Sequence, residues 1–255
     1  MTRRLSDRCR WRNPPQKLAL PQNEVHIWRA SLDLDITLIS RLAQTLTQDE
    51  QHRANRFRFD RDRDRFLVAR GILRVVLGRY LNLSPNQVPI GYTAFGKPIL
   101  EKPLPTETLY FNLSHSDDVA LYAFSHSYRV GIDLERIRPD IVAEEVAERF
   151  FSPGELAALR ALSTDDQINA FFACWTRKEA YLKARGEGLS IPLDSFDVSL
   201  KPGEPAKLLN SREDPQAVAR WSLRTLNVGP GYAATAAVEG HDWQPRCWQF
   251  QPNFM

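Results

Sequence analysis

The 255-residue chain is short of cysteine, of unbalanced charge and of long hydrophobic runs, and each shortage removes a class of function. Its three cysteines, Cys9, Cys174 and Cys247, are odd in number, far apart and without any CxxC spacing. Neither a disulfide framework nor a zinc site is expected from them, and a reducing, cytoplasmic location suits them. Lys and Arg number 34 against 31 Asp and Glu, a formal charge of +3, too mild for a protein that holds nucleic acid by charge. No apolar run follows Arg3, Arg4, Arg8, Arg10 and Arg12, so neither a secretory signal nor a membrane anchor is expected, and residues 1–20 read as a mobile basic tail. A GxxxxGKS/T phosphate loop and a GxSxG nucleophile elbow are also missing. P-loop and α/β-hydrolase chemistry are therefore not indicated.

What is present is a globular amount of apolar sequence, 43%, enough for one large domain or two small ones. Charge is uneven along it: residues 53–79 hold nine arginines and three aspartates, whereas 135–155 hold six carboxylates and three arginines. Residues 24–31 alternate like an opening strand, and Thr47 with Glu50 forms a capping box before an Arg-rich helical stretch that breaks at Asp60 and runs to about Tyr80. Phe95-Gly96-Lys97-Pro98 reads as a turn, and 110–113, 119–125 and 129–134 as strands, with polar 114–118 joining the first two. The same grammar returns: a helix from 141, a capping box from Ser152 to Glu155, a long aromatic helix over 166–185, then strands near 196–200, 221–226 and 232–238. This order predicts an α/β (α+β) fold rather than a doubly wound parallel sheet. Its two similar lobes, 21–126 and 127–242, would each carry a small, mostly antiparallel sheet against helices, with the site in the cleft between them. Residues 243–255, rich in aromatics, are expected to pack across the surface.

Two short segments concentrate chemistry. Gly131-Ile132-Asp133-Leu134-Glu135 ends a predicted strand, whose period of two puts Asp133 and Glu135 on one face and Ile132 and Leu134 on the other. In Trp175-Thr176-Arg177-Lys178-Glu179-Ala180-Tyr181-Leu182-Lys183-Ala184 the spacing i, i+3, i+7 puts Thr176, Glu179 and Lys183 on one helical stripe. Read singly, each is ordinary: a strand ending Asp-x-Glu is often a solvated edge, and Glu179–Lys183 could be a surface pair worth about 0.3–0.5 kcal/mol. Trp175 and Leu182 on the neighbouring face argue instead for a packed helix.

At these residues the chain resembles the 4′-phosphopantetheinyl transferases of the Sfp type. The likeness extends to Gly186-Glu187-Gly188-Leu189 and, in order, to Phe57, residues 65–70, Gly96-Lys97-Pro98, Asn112-Leu113-Ser114-His115-Ser116 and Pro192-Leu193-Asp194, covering about residues 48–200. The resemblance implies transfer of the phosphopantetheine arm of coenzyme A to a serine of an apo acyl, peptidyl or polyketide carrier protein, with Mg²⁺ and release of 3′,5′-ADP. It makes Asp133, Glu135 and Glu179 metal ligands, Lys183 and Lys178 phosphate contacts, and Arg53, Arg65, Lys97, Ser114 and His115 neighbours of the nucleotide or its phosphates. The acceptor of the serine proton is either a metal-bound water or Glu179, the latter expected. Glu50 and Arg53 stand where the family pattern has lysines. A self-contained monomer is implied by the length. Two other readings use the same residues: an Mg²⁺-dependent phosphatase or nuclease, and a nucleic-acid-binding module built on the arginine run, for which RNP-like aromatic signatures are missing.

Overall fold

A computed structural model describes residues 9–101 and 108–254. The first half contains β1 (Glu24–Ser31), α1 (Ile36–Ala43), α2 (Gln48–Ala54), α3 (Asp60–Leu81), β2 (Ile90–Tyr92), β3 (Pro98–Leu100), β4 (Tyr110–Ser116) and β5 (Val119–Ser125). The second contains β6 (Val130–Arg136), α4 (Ala143–Phe150), α5 (Pro153–Arg160), α6 (Thr164–Arg185), β7 (Phe196–Val198), β8 (Leu208–Ser211), α7 (Ala217–Arg220), β9 (Trp221–Thr225), β10 (Tyr232–Glu239) and β11 (Gln244–Gln249). Among the described residues no helix is long and apolar enough to cross a membrane.

Two sheets organise these elements, one in the order β11-β1-β5-β4 and one in the order β6-β10-β9. Alternation along each strand sends side chains to opposite faces, which sorts the core into three apolar clusters. Trp28, Ala30, Ala120, Tyr122 and Phe124 pack toward α3, while Ala237 and Leu223 join the α6 side with Phe171, Phe172 and Tyr181. Between the sheets, Val25, Ile27, Leu121 and Ala123 meet Ile132, Leu134, Ala234 and Ala236. The layers therefore run helix, sheet, sheet, helix, and burial on both faces explains why β5 and β10 read as almost uninterrupted apolar runs. The symmetry of the halves shows in their 22-residue central helices. Each ends on a left-handed residue, Asn82 at φ 54° and Gly186 at φ 79°, as helix C-termini commonly do.

Three sequence expectations are corrected here. The C-terminal segment does not lie across the surface: β11 is the edge strand of the first sheet, parallel to β1 with Trp28 opposite Trp248, and Trp243, Phe250 and Phe254 are buried. Residues 1–8 of the expected mobile tail lie outside the described residues, but from residue 9 the chain is tied down. The Arg12 N–H donates to the Cys247 carbonyl, the Gln249 N–H donates back to that of Arg12, and Leu18 and Leu20 pack on the α3 side. This pairing also joins Cys9 to Cys247 as a disulfide, with Cα atoms 5.6 Å apart. A bond spanning 238 residues depends on a parallel strand contact that no local cysteine spacing records.

Candidate active site

The site is set by how closely β6 lies on α6. On β6, Gly131, Asp133 and Glu135 face that helix while Ile132 and Leu134 enter the intersheet core. A Cβ at Gly131 would sit 2.1 Å from the Ala180 carbonyl oxygen and 2.3 Å from the Ala184 nitrogen, so only glycine allows backbone to touch backbone here. From the helix, Thr176 fixes the approach: fully buried, its hydroxyl bonds the Phe172 carbonyl at 2.9 Å and lies 3.2 Å from the Thr235 hydroxyl on β10. Thr235 is the β10 residue opposite Asp133. The expected stripe thus divides its work, Thr176 anchoring the helix and Glu179 and Lys183 facing the cleft.

Asp133 is 2% exposed. Its Oδ1 accepts from Lys183 Nζ at 2.6 Å and from the Ser114 hydroxyl at 3.0 Å, whereas Oδ2 is buried without a partner. Glu135 Oε2 accepts from the Ser116 hydroxyl at 2.9 Å. Among the described residues Glu179 has no hydrogen-bond partner. Burial, and then the charge of Asp133, raise the pKa of both Glu135 and Glu179 against the opposing pull of Lys183. Three carboxylates therefore feel one another across a desolvated space, with one oxygen left unpaired. Such oxygen donors suit a hard cation. Among the described residues no three of His, Cys, Asp and Glu are already drawn into a metal-holding cluster; the positive charge against Asp133 is the Lys183 ammonium.

Glu179 and Lys183 form one wall of a cavity of about 240 Å³, whose opposite wall is Phe95, Gly96, Lys97 and Leu113 from the first half. Lys97 reaches across it, donating from Nζ to the carbonyls of Lys183 at 2.5 Å and Ala184 at 3.4 Å. A cation there complements the C-terminal end of α6. Burial, and then the charge of Arg129, hold the Lys97 ammonium down to about 8. Gly186 and Gly188 both take positive φ, a conformation that glycine adopts without strain, where the turn packs beside Lys97 and Phe95. A second cavity of about 240 Å³ continues past Lys97 toward Tyr110 and Arg129.

The remaining expected contacts separate. β4 continues to Ser116, so the polar 114–118 joint shrinks to the turn at Asp117 and Asp118. Ser114 faces Asp133 and Lys183, within the carboxylate group. His115 keeps part of its surface open to solvent, while packing around its ring, and then the nearby charges of Lys183 and Arg65, lower its pKa. Arg65 pairs with Asp117 at 2.6 Å. Arg53 lies over the Phe66 ring, 5.4 Å from its centre, away from the carboxylates. Glu50, in the family's lysine position, is instead a buried partner of Arg70 and Arg74 at 2.6 and 2.5 Å. It clamps α2 on α3.

Lys178 is not brought to the site. One residue before Glu179, it turns into the core with no exposed surface, bonding the carbonyls of Leu193 and Phe196 at 2.8 and 2.7 Å and Glu155 at 2.7 Å. Glu155 also closes the α5 capping box through Ser152 N–H at 2.9 Å and accepts from Val198 N–H at 2.8 Å. Removing one member of a buried, satisfied pair strands the other, so Lys178→Ala is expected to lower stability by about 3–5 kcal/mol in urea unfolding. A loss limited to coenzyme A affinity, with unchanged stability, would return Lys178 to the substrate. Sequence reasoning set Asn112 and Ser116 in the matching motif but gave them no role; their signal was a polar i, i+2, i+4 stripe with Ser114 on β4.

Two family models match, one described as 4′-phosphopantetheinyl transferase, N-terminal, over residues 26–127 and one as the 4′-phosphopantetheinyl transferase superfamily over 129–237. The 4′-phosphopantetheinyl transferase HetI of Nostoc sp. (strain PCC 7120) is 44% identical over 94% of this chain and 98% of its own. The corresponding figures for the transferase Sfp of Bacillus subtilis (strain 168) are 32%, 80% and 86%. With both halves matched and the cleft carboxylates at the seam between them, the chain belongs to the 4′-phosphopantetheinyl transferase superfamily.

Proposed function

We propose that this enzyme transfers the 4′-phosphopantetheine arm of coenzyme A to a serine hydroxyl of an apo acyl, peptidyl or polyketide carrier protein in a reaction that depends on Mg²⁺. Carriers of fatty-acid, polyketide and nonribosomal peptide synthesis are the acceptors it would serve. The observation that carries the reading is the buried, unbonded Oδ2 of Asp133 in a space shared with Glu135, Glu179 and Lys183. Asp133, Glu135 and Glu179 would hold the ion, which when bound would draw charge from the diphosphate.

The chain's own groups do the rest. Serine oxygen attacks the phosphorus that bears pantetheine, the bond to the second phosphate breaks, and 3′,5′-ADP leaves. Lys183, a compact ammonium on the cleft wall, stabilises the negative charge that builds during this exchange. Glu179, on the cleft wall, is the group taken to accept the serine proton. Lys97 lines the cleft from the other half, and with His115, Arg65 and Arg53 it is taken to hold the nucleotide phosphates. Because one chain supplies both walls, no second copy is needed, and the enzyme is taken as a monomer.

The test is nucleotide release from coenzyme A with and without apo carrier protein. Release only when carrier is present supports transfer; release without it supports the phosphatase or nuclease reading. Within the proposal, Arg65→Ala removes a guanidinium already held at the cleft rim by Asp117. It is expected to raise KM for coenzyme A about tenfold with kcat little changed. An unchanged KM would take Arg65 out of the site.

A further inference from the structure

β4 and β6 border each other yet belong to different sheets and share no backbone ladder. They are joined instead by the polar stripe of β4. Asn112 Oδ1 accepts from the Ile132 N–H at 2.8 Å, and Ser114 donates to Asp133 at 3.0 Å. Ser116 donates to Glu135 at 2.9 Å and accepts from the Arg136 N–H at 3.0 Å. The direction of the last two bonds follows from the partners, because a backbone N–H can only donate and an ionised carboxylate can only accept. With a lone pair committed to Arg136, the Ser116 proton is left to Glu135. Ser114 stands in the same relation to Asp133, taking a bond from Lys183 Nζ at 3.0 Å and passing its own proton on. Asp133 has a lysine besides; Glu135 has no other hydrogen bond among the described residues.

We infer that Ser116 is a positioning residue that aims Glu135 at the catalytic cation from across the seam between the two sheets. A glutamate has three rotatable side-chain bonds, and without this hydroxyl no hydrogen bond among the described residues fixes its carboxylate. Groups that hold a metal's ligands in this way change metal affinity when removed, although they never touch the ion. The inference rests on the metal reading above, and its test separates the two.

The probe is Mn²⁺ titrated by electron paramagnetic resonance into the full chain with saturating coenzyme A and no carrier protein. Ser116→Thr and Ser116→Val are nearly identical in shape, both suit a strand, and they differ by the hydroxyl. The valine variant is expected to bind Mn²⁺ about 10- to 100-fold more weakly than the threonine variant, which stays close to the native value. Melting in EDTA serves as the control for the Arg136 bond. Equal Mn²⁺ affinity of the two variants, while Glu135→Gln weakens the ion, overturns the positioning role and leaves the metal reading standing. If Glu135→Gln also binds Mn²⁺ natively, the ligand assignment itself fails and the inference falls with it. A valine variant that melts early but binds Mn²⁺ like threonine makes Ser116 structural only, which also overturns the proposal.

Discussion

Gly131→Ala is expected to lower stability by about 3 kcal/mol and to remove most transfer activity. The added methyl carbon would overlap the Ala180 carbonyl oxygen at 2.1 Å and the Ala184 backbone at 2.3 and 2.8 Å. Neither obstacle is a flexible side chain, so relief requires β6 and α6 to part. That movement pulls Asp133 from Lys183, whose 2.6 Å contact spans the same two elements, and separates Glu135 from Glu179. Stability loss and activity loss thus share one cause. Urea unfolding and carrier-protein modification, measured on one preparation, check it. A variant within about 1 kcal/mol of native stability and with native turnover would show that helix contact does not set the site.

Asp133→Asn is expected to lower kcat/KM on the order of 1000-fold, the consequence of losing several kcal/mol of charge stabilisation at a metal-assisted phosphoryl transfer. Asparagine keeps the volume and can still accept from Ser114, which alanine cannot. That choice follows from burial: at 2% exposure Asp133 is a packed residue, not the solvated strand edge that an Asp-x-Glu ending often marks. The fold should survive, because the Lys183 side chain is 31% exposed and its ammonium can turn to solvent. Stability loss should therefore stay below the roughly 3–5 kcal/mol of a fully buried broken pair. Activity within about tenfold of native would remove Asp133 from the chemistry.

The carboxylates were legible because two regular periods carry them. A period of two aligned Asp133 with Glu135, and the i, i+3, i+7 stripe aligned Glu179 with Lys183. The capping boxes at Thr47 and Ser152 were legible for the same reason, being local chemistry. Lys178 was expected at the phosphates because the matching motif sets it beside Glu179. What adjacency in the motif lacks is Glu155, brought from 23 positions away in the chain to receive it. β11 was missed because its partner is β1, at the far end of the chain, and the Cys9–Cys247 bond was missed with it. The Asn112, Ser114 and Ser116 stripe was visible as polarity. Its purpose was not, since those side chains replace a backbone ladder between strands whose adjacency only the fold reveals.

The most direct measurement is the intact mass of an apo carrier protein after incubation with the enzyme, coenzyme A and Mg²⁺, beside Glu179→Ala enzyme and an EDTA control. The native enzyme should add the mass of one phosphopantetheine arm to the carrier, and neither control should add it. An unmodified carrier with native enzyme, or full modification by Glu179→Ala or in EDTA, would contradict a cleft in which acidic groups, a lysine and a divalent cation together move that arm.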